Sequence, residues 1–159
     1  MSPHIPLRVI LDNIRSGHNV GAVFRTADAF AIAGVDLCGY TARPPHRDIL
    51  KSALGATENV EWSGHETTAH CVAGLKAEGW RIAVIEQVEG SHPLAEWQPG
   101  TNEQWAIVLG NEVRGVDPAI VAMADLAVEI PQFGLKKSLN VSVCGGIVIH
   151  HASECMRSA

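Results

Sequence analysis

Three polar, glycine-bearing segments, each following an apolar strand-like run, hold the residue types of a ligand site. The first spans Asn13 to Phe30, follows Leu7–Leu11, and contains Asn19, Gly21 and Arg25. The second, Gly110-Asn111-Glu112-Val113-Arg114-Gly115, follows Trp105–Leu109 and runs into Asp117-Pro118, a good helix start. The third follows the run ending at Ile130-Pro131 and passes through Gln132-Phe133-Gly134-Leu135-Lys136-Lys137 to Ser138-Leu139-Asn140, where a long apolar helical run opens. Amides orient a ligand by hydrogen bonds, and a guanidinium clamps an anion in a planar fork. Glycine lets backbone approach a ligand closely. Ser138 and Asn140 are N-cap types, and the N–H groups of a helix start can hold a polar group. In open α/β folds, ligands sit outside the carboxyl ends of strands. Taken singly, each segment also reads as a plain turn or a capped helix.

Taken together, the segments resemble the three motifs of the SpoU (TrmH) family of RNA ribose 2′-O-methyltransferases, of the SPOUT class. Asn19, Gly21 and Arg25 match N-x-G-x-x-x-R. Gly110, Glu112 and Gly115 match G-x-E-x-x-G, and Ile130, Pro131, Ser138, Leu139 and Asn140 match I-P…S-L-N. The resemblance runs from about Leu7 to His150, and Lys51-Ser52-Ala53-Leu54-Gly55-Ala56 is similar to a further recurrent segment of the family. It implies an α/β fold with a C-terminal trefoil knot, S-adenosyl-L-methionine as methyl donor, and a homodimer built through helices near the donor site.

The resemblance also implies site residues. The donor would lie against Ile85, Glu86, Leu109, Gly110, Ile130, Ser138 and Leu139. An isoleucine at a strand end is equally a core residue. Methyl transfer from a sulfonium to a hydroxyl is an in-line displacement that gains from positioning and needs no metal. Arg25 is the candidate catalytic residue. Arginine stays protonated, so a phosphate clamp suits it better than a base role. A salt bridge to Glu112 is its structural alternative. Asn19, Glu112, Ser138 and Asn140 complete the catalytic set by the same resemblance. Arg43, His46, Arg47 and Lys51 are RNA-facing candidates, since phosphate contacts come from such residues, although a solvated surface would look the same. Aromatic content is only 5%, so a base-stacking platform of the single-strand-binding kind is not expected.

Composition bounds the rest. The 159 residues fit one domain, with no separate RNA-binding extension expected. No apolar run reaches membrane-span length and no signal peptide opens the chain, so a cytoplasmic location is the default. Net charge is −5, but residues 1–51 carry +2, leaving room for a locally basic face. Cys38, Cys71, Cys144 and Cys155 have no metal-ligand spacing, and no metal site is expected.

The positioning elements alternate. Strands are expected at Leu7–Leu11, Val35–Tyr40, Val60–Trp62, Arg81–Ile85, Trp105–Leu109 and Ala127–Ile130. Helices are expected at Val20–Ala33, Thr67–Glu78, Pro118–Met123 and Leu139–Met156, with loops at Thr41–Leu50 and across most of His92–Gln104. This order implies a mainly parallel sheet with helices on both faces. The leading reading is an RNA 2′-O-methyltransferase, with tRNA favoured over rRNA. A knotted RNA-binding or assembly protein without turnover is the alternative. A dinucleotide-binding oxidoreductase is disfavoured, because no G-x-G-x-x-G follows the first strand.

Overall fold

A computed structural model describes residues 4–158 of the protein. In chain order the elements are β1 (Ile5–Asp12), α1 (Gly17–Ala29), β2 (Ile32–Cys38), α2 (Arg47–Ala53), α3 (Ala56–Asn59), β3 (Trp62–His65), α4 (Thr68–Ala77), β4 (Arg81–Ile85), β5 (His92–Pro93), β6 (Trp105–Leu109), α5 (Pro118–Met123), β7 (Leu126–Glu129) and α6 (Val141–Arg157). All seven strands join one parallel sheet in the order β3-β2-β1-β6-β4-β7-β5. Every strand therefore ends on the same sheet edge, and the motif loops leave from that edge.

The central strands are apolar on both sides because both sides are covered. Leu7, Val9 and Leu11 point to one face and pack with Phe24, Ile49, Val148 and Ile149 of α1, α2 and α6. Ile10, Cys38, Val84 and Val108 point to the other and pack with Val72 of α4 and Ile120 of α5. Asp36, 2% exposed, is the polar exception on β2. Arg8 Nε donates to it across 2.8 Å, and His65 Nε2 lies 3.0 Å from it, so one carboxylate ties β1, β2 and β3 together. No helix among the described residues is long and apolar enough to cross a membrane.

Several boundaries differ from the sequence reading, each for a local reason. α1 starts at Gly17, not Val20, because Ser16 caps it, its hydroxyl accepting from the Asn19 amide at 3.2 Å. It stops at Ala29, not Ala33. Ala31 has a φ of 49°, which turns the chain into β2 three residues before the expected strand start. Apolar residues continue through that turn, so periodicity alone carried the helix too far. The expected loop Thr41–Leu50 contains the start of α2. His46 caps it, with Nδ1 3.2 Å from the Asp48 amide, and Asp48 and Lys51 sit at the ends that a helix dipole favours. α2 lies directly on α1 at Gly21, where any side chain would strike Ser52 and the Ile49 carbonyl. Ser52 Oγ donates to the His18 carbonyl at 2.8 Å and fixes that approach. The glycine of the first motif therefore serves helix packing. β3 begins at Trp62 rather than Val60, and the short β5 falls inside the stretch read as loop.

Candidate active site

A cavity of about 630 Å³ opens at the carboxyl ends of β4, β6 and β7. All seven residues expected at the donor line it: Ile85, Glu86, Leu109, Gly110, Ile130, Ser138 and Leu139. Glu112 lines it too. Its walls alternate apolar strand ends with loop backbone, the usual make-up of a small-molecule site. Sequence reasoning missed Val116, Lys137, Val141 and Cys144, which also face it. Val141 and Cys144 belong to the first turn of α6, one turn beyond the motif. Burial, with the charge of Glu86 second, pushes the Cys144 thiol up to about 11, so the wall stays neutral there.

The loop between β6 and α5 is folded tightly on itself. Asn111 and Gly115 exchange backbone hydrogen bonds of 3.1 and 2.8 Å. A side chain at Gly110 would fall on the Gly115 and Val116 backbone, and one at Gly115, whose φ is 72°, would meet Glu86. The motif glycines thus let the loop close first, and the ligand benefits second. Glu86 secures the closed loop by accepting from the Val116 amide at 2.8 Å.

The polar motif residues engage one another. The Glu112 carboxylate accepts from the Arg15 and Ser16 amides at 2.8 and 2.9 Å, and from Asn19 Nδ2 at 3.2 Å. Asn19 Oδ1 in turn accepts from Asn140 Nδ2 at 3.3 Å. Asn140 caps α6, its Oδ1 accepting from the Ser142 and Val143 amides. Ser138, the other expected cap residue, stays in the loop and faces the cavity instead. One hydrogen-bonded chain therefore links all three motifs. Both ends of the Asn19 amide are occupied in it, so Asn19, Glu112 and Asn140 hold the three motif loops to one another.

Burial alone would raise the Glu112 carboxyl. The amides of Arg15 and Ser16 and the Asn19 side chain outweigh it and hold the group below its ordinary 4.5. A depressed carboxyl adds stability above the unfolded value and loses it as pH falls through the folded one. Wild type should therefore melt above Glu112→Gln near neutral pH, with the gap closing below about pH 4.5. An equal gap in thermal melts at both ends of that range would show that the charge contributes nothing.

Arg25 stands apart from this network. It is exposed and makes no ion pair with Glu112, so the structural alternative for it is not realised. It does not line the cavity either. Six residues past Asn19, it sits roughly 120° around the helix and lines a separate groove of about 500 Å³ with Lys51 and Ser52. Of the other expected RNA-facing residues, His46 is a helix cap and Arg47 pairs with Asp48 at 3.5 Å, while Arg43 packs over Gly64. Lys51 is exposed.

Elsewhere, donor atoms of Asp36, His65 and Cys71 lie within 4.8 Å of one another, a cluster the sequence spacing did not reveal. The Arg8 guanidinium already binds both oxygens of Asp36. The Cys38 thiol, followed by burial, pushes the Cys71 thiol up. The cluster reads as a buried ion pair beside the neutral Cys71 thiol.

Comparison with known proteins follows the same geometry. The tRNA (guanosine(18)-2′-O)-methyltransferase of Escherichia coli is 29% identical over 153 residues, covering 96% of this chain and 65% of that protein. The chain thus spans less than two thirds of that relative's length. An AdoMet-bound rRNA methyltransferase from Sinorhizobium meliloti superposes with a TM-score of 0.88 at 25% identity, over 99% of this chain and 62% of that one. A structure described for the 2-OH methylation of C/U34 on tRNA gives a TM-score of 0.82 at 25% identity over 98% of both chains. The description of the SpoU rRNA Methylase family matches residues 6–150, a span that takes in every loop of the cavity, and the chain belongs to that family.

Proposed function

We propose that this protein transfers a methyl group from S-adenosyl-L-methionine to the ribose 2′-hydroxyl of an RNA nucleotide, in the cytoplasm, as a homodimer. The carrying observation is where the unpaired cations lie. Arg8, Arg47, Lys76, Arg81 and Arg157 are held by protein groups. Among the described residues, no ion pair or side-chain hydrogen bond holds Arg15, Arg25, Arg43, Lys51, Arg114, Lys136 or Lys137. Each of these seven lies in a segment leaving the carboxyl end of a strand. Arg114 and Lys137 line the cavity, Arg15 and Lys136 lie in loops beside it, and Arg25 and Lys51 line a separate groove, so a chain of net charge −5 leaves free positive charge at both places, as a polyanionic substrate requires.

The cavity suits the donor. Ile85, Leu109, Ile130 and Leu139 give apolar walls for an adenine, and Glu86 puts a carboxylate where a sulfonium or ribose hydroxyls are welcome. When bound, the donor supplies an electrophilic methyl carbon. The protein's part is to hold the 2′-oxygen in line with it and to keep the cavity wall neutral at Cys144. As the new C–O bond forms and the C–S bond breaks, the hydroxyl proton leaves to a phosphate oxygen or to water. Arg25 clamps the phosphate beside the ribose. No metal takes part. Transfer RNA is the favoured substrate, supported by the relatives that act on tRNA, with rRNA as the alternative.

The dimer completes the site. Val143 and Ile147 lie exposed one turn apart on α6, which packs against α1, and Leu139 is exposed just before the helix starts. A second copy packed there brings its own Arg25 towards this cavity. The family's deep C-terminal knot is part of the same reading. Incubation with methyl-labelled donor and unmodified tRNA, followed by mapping of the ribose methyl, tests the proposal. Donor and RNA binding without any transfer would favour the assembly-protein reading instead.

A further inference from the structure

The loop from Gln132 to Lys137 is the part of the cavity rim that the reaction above leaves unused. Phe133 is 95% exposed and Leu135 98%. Large apolar side chains are ordinarily buried, and these two stand out in solvent at the edge of a proposed active site. Gln132, Lys137 and Ser138 line the cavity while Phe133 does not, which puts the phenyl ring at the mouth rather than on the wall. Lys136 and Lys137 follow within four residues, both exposed and unpaired. An aromatic face beside two free ammonium groups matches a nucleotide, which offers a flat π surface and an adjacent anion. The reaction itself calls for such a contact. A ribose reaches a recessed methyl group only if its base leaves the stack, and an enzyme that unstacks a base needs a new surface for it.

We infer that Phe133 stacks on the base of the nucleotide being methylated, with Lys136 on a flanking phosphate. This rests on the RNA reading above. The composition holds few aromatics, and here one ring in one loop does what a platform of several does in single-strand binders. A second copy of the chain is the rival occupant of Phe133.

The test uses the full-length protein, a mixture of unmodified bacterial tRNA transcripts, and S-adenosylhomocysteine to prevent turnover. Phe133→Ala should weaken RNA binding roughly 5- to 150-fold. Phe133→Trp should restore it to within a few-fold, and Phe133→Leu should not. Lys136→Ala should lower the salt dependence by about one phosphate contact. Donor affinity and sedimentation should match wild type in every variant. The inference is overturned if Phe133→Ala binds RNA like wild type, if Phe133→Leu restores binding, or if Phe133→Ala splits the dimer. Label transfer by wild type, run alongside, tests the enzyme reading separately. Active wild type with an indifferent Phe133→Ala sinks only the stacking role, and inactive wild type sinks the enzyme reading together with the claim that the stacked base is the one methylated.

Discussion

Arg25→Ala is expected to lower turnover by roughly 10²–10³-fold, the usual effect of removing one transition-state donor, while melting with wild type and binding the donor as well. The stability half follows from the exposed, unpaired state of Arg25, since removing such a side chain leaves no buried partner behind. The donor half follows from its place outside the cavity lining. Arg25→Lys should recover little, because an ammonium keeps the charge and loses the planar fork. Single-turnover rates, calorimetry with the donor and thermal melts on the same preparations check all three parts. A stable Arg25→Ala protein that methylates at a near wild-type rate would remove Arg25 from the mechanism.

Gly110→Leu is expected to abolish donor binding. The new side chain would fall on the Gly115 and Val116 backbone, forcing the loop open at the Asn111–Gly115 bridge and pulling the Val116 amide from Glu86. One wall of the cavity goes with it. The strand behind, packed between β1 and β4, is expected to hold, so far-UV dichroism should stay native while calorimetry shows no donor uptake. Near wild-type donor affinity in this variant would contradict the assignment of the cavity. The two variants together also test the dimer. If Arg25 acts across the interface, a mixed dimer of one Arg25→Ala chain and one Gly110→Leu chain keeps one complete site and regains activity that neither homodimer has. If Arg25 acts within its own chain, the mixed dimer stays inactive.

What could be read in the sequence depended on how local its cause was. β4, β6 and α5 have the expected bounds because strand runs bounded by polar turns, and Asp117-Pro118 at a helix start, are signals carried by neighbouring residues. Ile85, Glu86, Leu109, Gly110 and Ile130 lie at or just past strand ends, whereas Ser138 and Leu139 come well after β7 and were expected from the family resemblance. α2 was hidden by Pro44-Pro45, although His46, Asp48 and Lys51 mark its ends. The roles inside the motifs were not legible. Glu112 meets Asn19 across 93 positions of sequence, and Asn19 meets Asn140 across 121, so nothing near any of them shows that they engage one another. Gly21 and Gly110 likewise pack against backbone that the linear order places elsewhere.

The position of β6 has a consequence during synthesis. β1 is flanked by β2 on one side, and on the other by β6, where Leu7 pairs with Trp105. The first strand made therefore waits for one nearly a hundred residues later before the sheet closes over it. At ribosomal speeds of about 5–20 residues per second, that interval is roughly 5–20 s. Through it, Leu7, Val9, Ile10 and Leu11 have one open edge and two partly covered faces. A nascent chain halted before Trp105 should be captured by hydrophobic-strand chaperones and cut readily by protease. One released past Met156, with α6 able to dock on α1, should escape both.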